Sequence, residues 1–340
     1  MVTLQDIAQQ IGVSHSTVSR ALADSPLVNA KTKERIQRLA QEVGYEVNQV
    51  ARNLKSCSTG MIGLIVPEVS NPFYPKLVQL VADLAREAGY SLQLHLSGAD
   101  QSSESACLAS LRSHRADGIL LVTAEQGLVA REQVNLLVAF HTPLVIMGWV
   151  QDSEHIDMVT GDDAYGGYLL AQYLLGLGHQ RIAVLGKNPH RGEYDRLFGF
   201  QKALKDAGYG LPDELLLQAQ NAEEVAIGVK KLLTLPEPPT AIFAYQDSLA
   251  AIVYKCLKQA NLSIPEDMSV VGFDDLELAT YLSPNLTTVG MHLEPLSNAF
   301  MRILVERIRK TSKTEAPEHV VITPQVIVRD SCAAPRKTAF

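Results

Sequence analysis

The chain has 340 residues, 46% of them hydrophobic and 20% charged, with a formal net charge of −7. This composition excludes a disordered chain, and the length provides for two or three compact units with cores of their own. No apolar run is long enough to span a bilayer. The opening MVTLQDIAQQ lacks the basic stretch and apolar block of an export signal, and the four cysteines (Cys57, Cys107, Cys256, Cys332) form no CxxC pair. A cytoplasmic chain with reduced thiols, without metal or cofactor, is therefore expected. The acidity is uneven: residues 1–60 carry seven Lys/Arg against five Asp/Glu, and the remainder 23 against 32. A basic head on an acidic body suggests a polyanion partner for the head alone.

In chain order, Thr3 caps a helix whose apolar face is Leu4, Ile7, Ala8 and Ile11, and Gly12 ends it. Ser14 caps a second helix with Val18, Ala21 and Leu22 inward. Asn29 caps a third, carrying Ile36, Leu39, Ala40 and Val43, which Gly44 stops. Two short helices joined by the Gly12–Ser14 turn have the helix-turn-helix arrangement, whose second helix enters the DNA major groove by its first residues. Those residues are His15, Ser16 and Thr17, with Arg20 one turn on, and none is needed for the apolar face. Arg20 can donate two bonds to guanine O6 and N7, with His15 or Ser16 reaching neighbouring base edges. Thr3, Thr17, Ser19 and Lys31 suit phosphate oxygens, which position without specifying. The competing reading is an ordinary solvated helix face. The segment Asn48–Ser58 carries Asn48, Arg52, Leu54 and Lys55. It is too short to hold a helix in water unaided. As a helix it would offer Leu54 as an apolar wedge for the minor groove; otherwise it is a solvated linker.

From Met61 onward, uninterrupted apolar runs alternate with helical stretches: MIGLIVP, SLQLHL, GILLVT, PLVIMG and MVTG, then RIAVLG, LLLQ, TAIFAY and SVVGF. The helices read as 74–88, 102–113, 165–177, 195–207, 222–233, 248–260 and 294–309, with a last strand around 325–328. Such alternation predicts parallel sheets covered on both faces. The fold class is thus a small all-α head followed by an α/β body of two doubly wound parallel-sheet lobes. Ligands of such sheets lie beyond the carboxyl ends of the strands. That places Phe73 and Tyr74, Trp149, Arg196, Gln246 and Asp274 around one cleft, aromatic faces beside planar polar groups. Each has a blander reading: Phe73 and Tyr74 as core, Trp149 as a seam plug, Arg196 and Asp274 as a structural ion pair. One of Asp162 and Asp163 is expected to cap the helix that follows, and His179 to fix a turn.

The stretches VTLQDIAQQIGVSHSTVSRALADSPLVNAKTKERIQRLAQEVGY, NQVARNL and TGMIGLIVPEVSNPFY closely resemble the lac repressor family of bacterial transcription regulators. So do GDDAYGGYLLAQYLLGLGHQRIAVLG, DRLFGFQKALKDAG, and the run from PTAIFAYQDS through GFDD to LTTV. The resemblance implies a DNA-binding domain at 1–47, a hinge at 48–60, and a periplasmic-binding-protein-like effector and dimerisation domain at 61–340. Its first lobe would span about 61–161 plus 292–323, and its second about 162–291 plus 324–340. It also implies that Arg196 and Asp274 grip the effector while Phe73 and Tyr74 stack on it. The partners implied are a pseudo-palindromic operator duplex, a small sugar-like or nucleobase-like effector and a second copy of the chain, as a dimer or tetramer, on the bacterial nucleoid and away from any membrane. Two departures stand out. Gln246 replaces the family's usual Asn, and Gly148–Trp149 replaces a frequent Asp-Arg, which is similar to the ribose- and purine-responsive branches. The alternatives are a sugar receptor without a DNA role and a doubly wound enzyme. Against the enzyme stands the absence of GxGxxG after a strand, GxxxxGK[ST], GxSxG and HExxH.

Overall fold

The computed structural model describes residues 2–22, 24–45, 58–98, 100–123, 131–148, 156–186, 196–219, 221–310 and 316–336. They fall into two units, Met1–Thr59 and Gly60–Phe340. In the first unit, Thr3 and Asp6 cap each other at the start of α1 (Leu4–Ile11): Thr3 N–H donates to Asp6 Oδ2 at 2.8 Å and Asp6 N–H to Thr3 Oγ1 at 3.3 Å. Gly12, at φ 75°, closes that helix in the left-handed conformation. Helix α2 (His15–Leu22) starts at Ser14, whose Oγ accepts from Thr17 N–H at 3.2 Å. Helix α3 (Ala30–Glu42) starts at Asn29, whose Oδ1 accepts from Thr32 N–H at 2.8 Å. Ile7, Ala8, Ile11, Val18, Ala21, Ile36 and Ala40 form the core of this unit, joined by Val28 from the connection. Each fully buried aliphatic side chain contributes at most about 1.5–3 kcal/mol, so a core of this size is small and the caps matter.

The second unit begins with a six-stranded parallel sheet: β1 (Met61–Val66), β2 (Ser91–Leu96), β3 (Gly118–Val122), β4 (Leu144–Met147), β5 (Asp157–Gly161) and β11 (His319–Ile322), in the order β11-β5-β4-β3-β1-β2. Strand alternation divides its core cleanly. Ile62, Leu64, Val66, Leu120, Val122, Val145 and Val159 face α4 (Phe73–Ala88) and α11 (Leu293–Arg309). Ile65, Ile119, Leu121, Ile146 and Met158 face α5 (Gln101–Ser113) and α6 (Arg131–Ala139). Helix α6 and strand β11 have no counterpart among the elements expected from sequence.

A second parallel sheet follows, with strands β6 (Ile182–Gly186), β7 (Leu216–Gln218), β8 (Ala241–Ala244) and β9 (Ser269–Val271) in the order β7-β6-β8-β9. Helices α7 (Asp163–Gly176) and α8 (Arg196–Asp206) cover one face around Phe200, Phe243 and Phe273. Helices α9 (Ala222–Leu233) and α10 (Asp247–Gln259) cover the other around Leu185, Ile242 and Val270. A two-stranded antiparallel piece, β10 (Thr288–Gly290) with β12 (Gln325–Ile327), completes this lobe. The chain crosses between the sheets at 161–163, 290–293 and 322–325.

Two glycines set the spacing of α7 and α8. A Cβ at Gly167 would overlap the Arg196 carbonyl, and one at Gly199 would overlap the Ala164 carbonyl. The helices touch backbone to backbone, which brings Asp163 and Arg196, their first residues, side by side. Gly199→Ala gains up to about 1 kcal/mol of helix propensity but meets a carbonyl that cannot yield, at about 1–3 kcal/mol of overpacking. We expect the overpacking to win and the thermal midpoint to fall by about 2–4 °C per kcal/mol. A midpoint at or above that of the wild type would show that the helices need no such approach.

Candidate functional site

In the head, the exposed face of α2 carries His15, Ser16 and Arg20. None is drawn into the core, whereas Val18 and Ala21 are fully buried behind them. Ser14 Oγ lies 2.8 Å from the hydroxyls of both Ser16 and Thr17, so these three oxygens form a fixed cluster at the start of the helix. Ser19 is half-buried, and Thr3 and Lys31 are exposed. Thr3 Oγ1 donates to Asp6 Oδ2 at 2.7 Å, so its hydroxyl serves the α1 cap first. Asn48, Arg52, Leu54 and Lys55 lie outside the described residues.

In the second unit, a cavity of about 210 Å³ opens where the carboxyl ends of β1, β3, β4 and β8 face one another. Phe73, Tyr74, Arg196, Gln246 and Asp274 all line it, so the geometry brings these expected residues together. Trp149 lies outside the described residues; its neighbour Gly148 is on the wall. Phe73 and Tyr74 meet edge to face, ring centroids 5.4 Å apart, and both pack against the first lobe's core, as the core reading has it, while also lining the cavity.

Arg196 organises the second lobe's side of the cavity. An arginine at a helix N-terminus opposes the helix dipole, and here two carboxylates offset that. Its Nη2 donates to Asp163 Oδ1 at 3.3 Å and its Nη1 to Asp274 Oδ1 at 3.4 Å, with a further bond from Nη1 to the Tyr245 carbonyl at 2.6 Å. The guanidinium carbon stands 3.8 Å from the Phe273 ring centroid and 4.9 Å from that of Tyr245. Asp163 and Tyr245 were not singled out from sequence. Asp162, the other carboxylate of the pair, is the helix cap, accepting from Tyr165 N–H at 2.9 Å. Thr123 Oγ1, on the first lobe's wall, is buried without a hydrogen-bond partner among the described residues.

Behind the cavity, Asp247 is fully buried at the start of α10. It accepts from Leu276 N–H at 2.7 Å and from Thr288 Oγ1 at 2.5 Å, and so holds the loop that carries Asp274. Burial pushes its carboxyl up to about 8, aided by the neighbouring Asp274 and opposed by the Thr288 bond. Asp274 is likewise pushed by burial to about 6, against the pull of Arg196. Both carboxyls bind protons more tightly folded than unfolded. Their contribution to stability is therefore fully present below about 4 and is lost as pH rises through about 6 for Asp274 and about 8 for Asp247. Asp247→Asn keeps an acceptor for Leu276 and a donor for Thr288. Thermal midpoints taken across this range should fall less steeply above about pH 6 in the variant; parallel curves would contradict the assignment. His179 Nδ1 pairs with Thr240 Oγ1 at 2.8 Å, the structural role expected of it.

Residues 3–48 match the family described as bacterial regulatory proteins, lacI family, and residues 171–332 match the periplasmic binding protein-like domain. The ribose operon repressor of Escherichia coli K12 is 33% identical over 97% of this chain and 100% of its own length. The chain belongs to the lacI family of bacterial regulatory proteins. It is a DNA-binding transcriptional regulator with a periplasmic-binding-protein-like effector domain. The PurR repressor of Vibrio vulnificus is 31% identical over 97% of this chain and 98% of its own. Among solved structures, a lacI-family regulator from Enterococcus faecium with bound ribose is 27% identical, with a TM-score of 0.71, covering 81% of this chain and 100% of that one. The lac repressor dimer bound to operator shares the fold at a TM-score of 0.85 and 22% identity, over 98% of this chain and 99% of that one. Among the described residues no helix is long and apolar enough to cross a membrane.

Proposed function

We propose that the chain is a cytoplasmic repressor without catalytic activity, whose grip on a pseudo-palindromic operator is set by a compact, single-ring polyhydroxy compound of the pentose class. The observation that carries the effector reading is the Arg196 fork between Asp163 and Asp274 in a cavity walled by Phe73 and Tyr74. A sugar hydroxyl both donates and accepts, so a ring of them suits alternating guanidinium and carboxylate edges, with aromatic faces against its C–H surface. A cavity of about 210 Å³ is below the about 300–1,000 Å³ of pockets that take drug-sized ligands. The names of the ribose operon repressors and the ribose bound to the Enterococcus faecium regulator point the same way. A purine base is the second reading, favoured by the PurR relatives and by a planar guanidinium site.

In the head, Arg20, His15 and Ser16 read base edges, while Thr3, Thr17, Ser19 and Lys31 contact phosphates. Asn48, Arg52, Leu54 and Lys55 form the hinge that inserts Leu54 between base steps. One head makes too few contacts for tight binding, and a two-fold pair multiplies affinity through effective concentration. A second copy would cover the edge strand β2, which exposes Leu94 and Leu96, and the exposed Ile227 and Tyr281. Effector binding would move one lobe against the other and change the spacing of the two hinges. Such coupling is typically about 1–3 kcal/mol.

A thermal-shift panel of D-ribose, D-glucose, cellobiose and hypoxanthine tests the effector class. D-ribose at about 100 times its Kd should stabilise the fold by about 2.7 kcal/mol. A rise with hypoxanthine or cellobiose alone would overturn the pentose reading.

A further inference from the structure

Asn71 follows β1 in the first lobe, and Gln246 follows β8 in the second. Asn71 Nδ2 donates to Gln246 Oε1 at 3.2 Å, across 175 residues of sequence and across the cleft. The polarity of this bond is fixed by a third group. Asn71 Oδ1 accepts from the Phe73 N–H at 3.0 Å, and a backbone amide can only donate. The other end of the Asn71 amide must then be its NH2, so Gln246 must present its oxygen to Asn71 and its own NH2 elsewhere. Both residues line the cavity, and no described residue accepts from Gln246 Nε2.

We propose that Asn71 and Gln246 form a latch between the lobes that also fixes Gln246 as a hydrogen-bond donor to the effector, so that an effector must offer an acceptor oxygen or nitrogen at this edge. The relay runs from the Phe73 amide through Asn71 to Gln246 and on to the ligand. The ligand half of this proposal rests on the reading of the cleft as the effector site; the latch itself does not. Gln246 thereby complements Arg196, a second donor, against the acceptors Asp163 and Asp274. A ring hydroxyl placed between the two sets can accept from one and donate to the other.

The test is Asn71→Asp in the full chain. A carboxylate still accepts from Phe73 N–H, so a residue that merely caps α4 would tolerate it. A donor relay would not, because the carboxylate oxygen that replaces the amide NH2 would repel Gln246 Oε1 and turn that amide over: the Gln246 NH2 would then bond the carboxylate, keeping the latch, and an acceptor would point into the cleft. D-ribose affinity should fall by about tenfold, the scale of one hydrogen bond with its polarity reversed. In a Gln246→Ala background the same Asn71→Asp change should cost nothing further. An equal loss in both backgrounds, or no loss in either, would overturn the donor relay. The latch is read without ligand by urea midpoints of Asn71→Ala, Gln246→Ala and the double variant. Non-additive losses support it, and additive losses overturn it. Should D-ribose fail to bind the wild type, the pentose reading and the donor relay to it fail together, while the urea cycle still decides the latch.

Discussion

Arg196→Ala is expected to abolish the response to D-ribose and to destabilise the effector domain more than any other single change in the cleft. The substitution removes the cation between Asp163 and Asp274, a donor to the Tyr245 carbonyl, and a guanidinium packed on Phe273. Side-chain exposure is 14% for Arg196 and 7% for Asp274, so solvent screens this pair little. Breaking a buried pair by removing one partner costs about 3–5 kcal/mol, chiefly from the charge left unpaired. At about 2–4 °C per kcal/mol, the thermal midpoint should drop by at least several degrees. Asp274 would then be neutralised over a wider pH range, and the loss should be smaller in acid. Arg196→Lys should recover part of the stability but not the ligand response, since an ammonium cannot serve both carboxylates with the geometry of a fork. Calorimetry and D-ribose titration of both variants check this. A ligand response surviving in Arg196→Ala would place the effector elsewhere.

The second large effect is expected at Arg20. A bidentate Arg–guanine contact supplies about 1–3 kcal/mol of discrimination, and a two-fold pair of heads doubles it to about 2–6 kcal/mol. Arg20→Ala should therefore reduce the preference for operator over random duplex by at least about thirtyfold. Binding to random duplex, carried by phosphate contacts, should persist with little change in its salt dependence. Competition binding at fixed ionic strength reads both quantities. Equal weakening on every sequence would make Arg20 a phosphate contact.

The parts of this molecule legible in the sequence are those decided over a few residues. Thr3, Asn29 and one of Asp162 and Asp163 read as caps because a short oxygen side chain precedes an apolar periodicity; Thr3, Asn29 and Asp162 accept the backbone N–H. The central strands β1, β3, β4, β6 and β8 read as strands because both faces of a parallel sheet are covered and their residues are apolar or glycine. Strand β11 was missed because HVVI is a partly exposed edge strand with a mixed pattern, and α6 because it is a short helix of weak amphipathicity. In the cleft, Arg196, Asp274 and Gln246 were legible as strand-end polar groups. Asp163 was not, because its meeting with Arg196 depends on how closely α7 and α8 pack, which Gly167 and Gly199 decide from opposite helices. The Tyr245 carbonyl carries no side-chain signal at all. The bond between Asn71 and Gln246 joins two loops whose separation only the tertiary structure sets.

The central claim is that the head selects a DNA sequence and the cleft governs that selection. Repeated selection of the full chain on random duplexes at fixed ionic strength, with and without D-ribose, tests it most directly. A two-fold symmetric site should be enriched in one condition, with its affinity shifted in the other by about 5–150-fold. No enriched sequence in either condition, or an enriched site indifferent to D-ribose and to every other compound of the thermal-shift panel, would contradict it.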